Sequence, residues 1–345
     1  MVKKSLYLQR CFDLTRLGAG GASPNPVVGA VLVNNDRIIG EGFHQMYGAA
    51  HAEVNCLKSV APHDQHLIKN STLYISLEPC CIVGNTPACT EMIRKNGIKK
   101  VVYATVDPTS GVNGQSKKIL ENYGAHVEDG ILQTEGNQLI RPRSVWVNQK
   151  RPYIILKFAQ SKDGFIGQKE KQVWLSNSYT KTLVHKWRSE VDAIIVGTNT
   201  AVLDNPKLTT RLYPGKNPLR IVLDKSKRLK KESNLLDNST PTWVVTKEDH
   251  SASDQKNTTH LQMPFDQLLP SLNHELFKAN KGILMVEGGA QLIDSYLKAN
   301  LWDEARIFQT DVLLDSGIEA PKIDRKCAVS FPVKNNLVKY YFNNE

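Results

Sequence analysis

At 345 residues the chain is longer than one hydrophobic core usually grows, so two domains are expected. Its 41% hydrophobic and 23% charged residues are those of a globular protein, and no stretch approaches the roughly 20 apolar residues of a membrane span. A net charge of +10 suits nucleic acid, and anionic small molecules such as phosphates explain it equally well; the lysines are scattered with no arginine-rich arm, so no nucleic acid and no membrane partner is expected.

The first predicted element is an amphipathic helix over 5–17, with Leu6, Leu8, Phe12 and Leu14 apolar among polar neighbours. It contains no uninterrupted apolar run of the kind a secretory signal needs, so a cytoplasmic location is expected, with a homo-oligomer left open. In that compartment disulfides are rare, and clustered thiols more often mean metal or catalysis. A strand pair follows: VVGAVLV, a polar turn at Asn34-Asn35-Asp36, then RIIGEGFH. HAEVNCLKSV reads as a helix, STLYISLEP as a strand, TPACTEMIRKNG as a helix and KKVVYATVD as a strand. SKKILENYG and AHVEDGI repeat the helix-to-strand step, which argues for a sheet covered by helices.

Within this alternation, three of the six cysteines fall in residues 80–89. Zinc prefers thiolate and imidazole donors in a tetrahedron, and a catalytic zinc keeps one position for water. His51-Ala52-Glu53, Pro79-Cys80 and Cys89 follow the order H-x-E, P-C, C of the zinc-dependent base deaminases. His51, Cys80 and Cys89 are therefore the expected metal ligands, and Glu53 the expected proton shuttle. Cys11 and Cys56 lie on apolar helix faces and are expected in the core, while Cys327 has no partner motif. Cys81 neighbours a ligand, but adjacent side chains diverge, so it is expected to be incidental. Spacing leaves His44 open between a turn histidine and a pocket residue.

The segment RPRSVWVNQKRP, 141–152, is basic, carries proline near both ends and separates two alternating patterns; the boundary is placed at 145/146. Beyond it the predicted elements are YIILKFAQS, a helix over 178–190, DAIIVG, LRIVLD, TWVVT, a helix over 265–278, GILMVEGGAQLIDSYLKAN and EARIFQTDVLL, with a loose surface loop over 247–260. VEGGAQLI is a strand, a glycine pair and a helix, a place where backbone N–H groups can approach phosphate. No G-x-G-x-x-G follows a strand, which argues against a dinucleotide-binding Rossmann domain. Lys157, Arg188 and Arg211 are either an anion-binding set or surface charges.

Eight residues separate Cys80 from Cys89, where most zinc deaminases have two. That loop, with SPNPVVGAVLV, GEGFHQMYGAAHAE and GNTPAC, resembles the bifunctional riboflavin-biosynthesis deaminase-reductases, the RibD family. The resemblance continues through RPYIILKFAQSKDGFIG, WLSN, VGTNTAVLDNPKLTTR, PLRIVLD and VEGGAQLIDSYL. It implies a two-domain α/β chain: a cytidine-deaminase-like α/β/α layered domain over 1–145 with one zinc, and a dihydrofolate-reductase-like α/β domain over 146–345 that binds NADPH. The implied reactions are deamination of a diaminopyrimidinone ribosyl phosphate and reduction of the product's ribose to a ribityl chain. The resemblance further implies that Asn25, Glu53 and Asp107 read the base, with His44 a candidate beside them. It places the cofactor against Ala159, Trp174, Thr200, Asp204 and the turn at Gly289, and the reductase substrate against Arg188, Leu208, Arg211 and Glu287, with Lys157 a further candidate.

Several positions depart from the family pattern. Ile82 stands where it usually has histidine, Asn85 where it has a basic residue, and Thr109-Ser110 where it has N-P. The later Gly-Arg-Gly turn is Gly114-Gln115-Ser116, and Gln172 replaces a substrate-contacting serine. The expectation is a working deaminase with a modified grip on its substrate. The alternatives are an impaired or re-targeted deaminase beside an active reductase, a nucleic-acid base deaminase, and a structural zinc clip in a binding protein.

Overall fold

Strand β1 (Gly29–Asn34) is buried at all six residues, because it is flanked by strands and covered on both faces. In the computed structural model, which describes residues 2–84, 86–168, 173–247 and 256–343, the chain divides into two units, Met1–Lys150 and Arg151–Glu345. In the first, β1 pairs antiparallel with β2 (Arg37–Phe43) through Asn35 and Asp36, both at positive φ as a tight hairpin requires. Its other neighbour is antiparallel β3 (Thr72–Ile75), which is followed by parallel β4 (Lys100–Tyr103) and β5 (His126–Asp129) in the order β2-β1-β3-β4-β5.

The pleat sends successive side chains to opposite faces. Ala30, Leu32, Leu73, Ile75 and Val101 pack against α2 (Ala52–Lys58), α3 (Cys89–Lys95) and α4 (Gln115–Asn122). Val31, Val33, Tyr74 and Val102 pack against α1 (Val2–Leu17), with Leu139 of α5 (Gln133–Leu139) on the same side. The result is the expected α/β/α layering. The segment read as a linker instead forms α6 (Arg141–Gln149), with Pro142 in its first turn, where a proline's missing N–H costs nothing. The division at Lys150/Arg151 falls after this helix, five residues beyond the expected 145/146.

The second unit carries β6 (Tyr153–Gln160), β7 (Phe165–Gly167), α7 (Ser178–Glu190), β8 (Ala193–Val196), α8 (Thr198–Asp204) and β9 (Leu219–Leu223). There follow β10 (Thr242–Thr246), β11 (Thr258–Gln262), α9 (Leu268–Lys278), β12 (Ile283–Glu287), α10 (Ala290–Lys298), β13 (Glu304–Gln309), β14 (Ile318–Glu319), β15 (Val329–Val333) and β16 (Asn336–Phe342). Nine of these strands form one sheet in the order β11-β10-β9-β8-β12-β6-β13-β16-β15. It is parallel from β11 to β13 and closed at one edge by antiparallel β16 and β15. Runs such as AIIV and ILMV are apolar throughout because a parallel sheet buries both faces.

Two expectations are corrected. The last three residues of the supposed loop, 258–260, open β11, whose backbone bonds to β10; residues 248–255 lie outside the described ones, as do Asn85 and Gln172. The hairpin β15–β16 was not anticipated: β15 is almost wholly exposed, and one of the two fully buried positions of β16 is the polar Asn336. Among the described residues, no helix is long and apolar enough to cross a membrane.

Candidate active sites

The first site forms where α2 and α3 begin. His51 is the N-cap of α2, and Cys89 is the first residue of α3. Cys80 comes from the loop after β3 and accepts a hydrogen bond from the Cys89 backbone N–H at 3.3 Å. Helix α2 can press onto β2 because residue 42 is glycine: a Cβ there would lie 2.2 Å from the Cys56 nitrogen. His51 Nδ1 sits 3.3 Å from Cys89 Sγ and 3.5 Å from Cys80 Sγ, and the three donor atoms lie within 4.8 Å of one another.

These spacings fit zinc. Bonds of about 2.3 Å to sulfur and about 2.0–2.1 Å to nitrogen give tetrahedral S···N edges of about 3.6 Å. The sulfurs share a proton unevenly: hydrogen bonding from Cys89 and the His51 imidazole pulls the Cys80 thiol down, while that contact and burial push Cys89 up. His51 Nε2 faces Thr86 Oγ1 at 3.3 Å, so Nδ1 is the nitrogen free for a metal. Cys11 and Cys56 are fully buried in the two cores, and burial pushes both thiols up. Cys81 turns away and donates to the Gly111 carbonyl.

Glu53, 3% exposed, hydrogen-bonds the Cys89 thiol. Burial and the neighbouring Cys80 raise its pKa, keeping it closer to neutrality than an ordinary carboxylate. His44 is no turn histidine: it is buried, with its ring edge-on to His51 at 5.4 Å. The Ala50 carbonyl 3.1 Å from His44 Nδ1 can only accept, so Nδ1 carries the hydrogen and Nε2 accepts from the Asn25 amide at 3.4 Å. Burial lowers the pKa of His44 and keeps it neutral. Asp107 accepts the Thr109 N–H at 2.7 Å. Glu78 anchors the turn, accepting from the backbone of Asp107, Gly114 and Ser116. Ile82 is 45% exposed.

Sequence reasoning missed Arg143 here. It extends from α6 to donate to Thr109 Oγ1 at 2.9 Å and to the Pro24 carbonyl at 3.4 Å. Its only advance signal was being one of three arginines in a basic segment taken for the domain boundary.

In the second unit, Lys157 and Arg188 are not surface charges. Arg188 clamps Glu287 through two 2.8 Å hydrogen bonds, and Lys157 Nζ stands 3.7 Å from the same carboxylate. Burial alone would push Glu287 up, but Arg188 and Lys157 more than offset it and hold the carboxyl at about 2. Burial, with the Arg188 charge, lowers the pKa of Lys157. Arg188 also donates to the Thr209 carbonyl at 3.2 Å, so its guanidinium is largely committed within the protein. Arg211 is exposed, with Thr209 Oγ1 at 3.4 Å. Leu208, just before Thr209, is buried at positive φ. His185, one turn before Arg188 on α7, was also missed. Burial, Arg188 and Arg211 hold it down at about 4, and its Nδ1 is buried without a partner.

The chain beside this cluster fits an anionic cofactor. Gly288 and Gly289 have φ of 89° and 72°, and a Cβ at either would lie 3.0–3.2 Å from the Thr200 side chain. The turn therefore closes on α8 and leaves the first N–H groups of α10 for phosphate. Ala159 is half-buried on β6, Asp204 lies exposed at the end of α8, and Trp174 is 66% exposed with Lys181 Nζ 4.3 Å over its ring.

Residues 1–105 match the cytidine and deoxycytidylate deaminase zinc-binding region, and residues 152–318 the RibD C-terminal domain. Riboflavin biosynthesis protein RibD of Aquifex aeolicus is 33% identical over 320 residues, covering 90% of this chain and 88% of that protein. The Bacillus amyloliquefaciens protein of that name is 34% identical over 92% of this chain and 86% of its own length. Among solved structures, the diaminohydroxyphosphoribosylaminopyrimidine deaminase/5-amino-6-(5-phosphoribosylamino)uracil reductase of Thermotoga maritima superposes with a TM-score of 0.90 at 29% identity, covering 99% of this chain and 98% of that one. Acinetobacter baumannii RibD gives 0.86 at 28% identity, with the same coverage.

Proposed function

This chain belongs to the RibD family of riboflavin-biosynthesis enzymes, a bifunctional deaminase and reductase, and on that premise we propose how its residues divide the work. The first unit hydrolyses the amine of diaminohydroxyphosphoribosylaminopyrimidine, and the second reduces the ribose of 5-amino-6-(5-phosphoribosylamino)uracil to ribityl with NADPH. The observation that carries this reading is the His51–Cys80–Cys89 cluster with a buried glutamate against it.

His51 Nδ1, Cys80 Sγ and Cys89 Sγ hold the zinc, which when bound supplies a Lewis acid that makes water nucleophilic near neutral pH. Three protein donors are the number that would hold a catalytic zinc, where a closed structural clip takes four. Glu53 takes a proton from the attacking water and returns it to the exocyclic nitrogen, which leaves as ammonia, while the water's second proton passes to the adjacent ring nitrogen as the ring carbon gains its carbonyl. Its raised pKa makes it a stronger base than an exposed carboxylate. Neutral His44, oriented by Asn25, and the backbone-anchored Asp107 hold the ring edge.

In the second unit the Gly288–Gly289 turn and Thr200 receive the cofactor's phosphates, with Ala159, Trp174 and Asp204 alongside, and NADPH when bound supplies the hydride. Arg211, the exposed arginine, suits the substrate phosphate, because Arg188 is committed to Glu287. Arg188, Glu287 and Lys157 form a rigid polar floor beneath the sugar, walled by Leu208. The reading places the enzyme in the cytoplasm, acting on phosphorylated pyrimidines.

Glu53→Gln tests the deaminase assignment: one zinc per chain and NADPH-dependent reduction of the deaminated substrate should persist, while ammonia release falls by at least a hundredfold. Unchanged ammonia release would overturn the assignment. A second reading, a re-targeted deaminase, draws on the exposed Ile82 beside the site; it predicts reduction of the uracil compound without ammonia release from the diaminopyrimidine.

A further inference from the structure

The deaminase substrate named above carries a phosphate, and the side chains next to the metal cluster offer little to hold it. His44 is neutral, while Glu53 and Asp107 are acids. Following the contacts outward from His51, the path runs through His44 to Asn25, then by the adjoining Pro24 carbonyl to Arg143, and from Arg143 through Thr109 to Asp107. Of the groups on this ring, Arg143 alone carries fixed positive charge.

The setting of Arg143 is unusual for a structural arginine. Among the described residues it forms no ion pair; the carboxylate whose charge acts on it is Asp107, whose Oδ1 already accepts from the Thr109 N–H. Its Nε is buried with no acceptor, so only two of its donor contacts, to Thr109 Oγ1 and to the Pro24 carbonyl, are made within the protein. A half-buried guanidinium with unused donors is costly unless a ligand supplies the acceptors, and its planar fork matches the oxygens of a phosphate monoester. Thr109 holds it from one side and Pro24 from the other, so the fork is oriented before any ligand arrives.

We propose that Arg143, steadied by Thr109, binds the phosphate of the deaminase substrate. This rests on the reading of the first unit as a deaminase of a phosphorylated pyrimidine. The competing role is purely structural, a clamp from α6 onto the 24 and 109 turns, and the two roles differ in what they do to a substrate without its phosphate.

The test uses the full-length zinc-loaded enzyme and measures ammonia release from diaminohydroxyphosphoribosylaminopyrimidine and from its dephosphorylated form. Arg143→Met should raise KM for the phosphorylated compound roughly ten- to hundredfold, with kcat little changed and the dephosphorylated compound unaffected. Arg143→Lys should recover part of the loss, since it restores a charge without the fork. Reduction of 5-amino-6-(5-phosphoribosylamino)uracil serves as the folding control. An equal loss on both compounds, or none on either, overturns the proposal in favour of the clamp. If the wild-type enzyme releases no ammonia, the deaminase reading fails instead, and the contact is read without turnover. Arginine-selective modification with peptide mapping should then show Arg143 shielded by the saturating phosphorylated compound and not by the dephosphorylated one; equal reactivity with both overturns the proposal.

Discussion

Replacing Glu287 by glutamine should destabilise the second unit by about 3 kcal/mol at pH 7 and by about 1 kcal/mol at pH 3. The carboxylate is 7% exposed, meets Arg188 through two 2.8 Å hydrogen bonds and has Lys157 Nζ at 3.7 Å. Those cations hold it at about 2 against an ordinary 4.5. At about 1.4 kcal/mol per pH unit, the difference amounts to about 3 kcal/mol. This agrees with the roughly 3–5 kcal/mol expected when one partner of a buried pair is removed and the other left stranded. The folded value lies below the unfolded one, so the contribution is complete above pH 4.5 and fades as the pH falls from 4.5 toward 2. Urea unfolding of the full chain at both pH values measures it. Tryptophan fluorescence reports mainly the second unit, since of the five tryptophans only Trp146 lies outside it. An equal loss at pH 7 and pH 3, or a loss well under 1 kcal/mol at pH 7, would refute the charged clamp. Pairing Arg188→Met with Glu287→Met should recover part of the stability, because only Lys157, rather than both cations, is then left buried without its counter-ion.

Three further outcomes follow from the first site. Gly42→Ala should lower both zinc stoichiometry and ammonia release by tenfold or more, because its Cβ would meet the α2 backbone at 2.2 Å and displace His51. Gly84→Ala, with nothing within 4 Å of its Cβ, should change neither; metal analysis and an ammonia assay read both variants. Cys81→Ser should keep one zinc per chain while Cys89→Ser loses it. Chelation should abolish ammonia release yet spare NADPH oxidation with the deaminated substrate, since every proposed ligand lies within Met1–Lys150.

Much of the first unit was legible because its signals are local. The alternation of Ala30 and Leu32 with Val31 and Val33 declares a strand covered on both faces, and the Asn34–Asp36 turn declares the hairpin. The H-x-E, P-C and C motif named the cluster because zinc chemistry limits both donor type and spacing. Less legible were elements whose stability comes from partners distant in the chain: β11 exists through its backbone bonds to β10, and α6 reads as a basic linker until it folds. Charge was the least legible property. Lys157, Arg188 and Glu287, scattered over 130 residues of sequence, look like ordinary surface groups.

The sequence by itself determined the strand–helix alternation along most of both units, the cluster at His51, Cys80 and Cys89, and the acid beside it, since periodicity and coordination chemistry are written in residue type and spacing. Only the tertiary structure decided that His44 stands against His51 as a neutral ring, that Arg188 is spent on Glu287, and that Arg143 reaches across to Thr109. Protonation state and pairing depend on burial and on neighbours brought from elsewhere in the chain, and no local pattern carries that information.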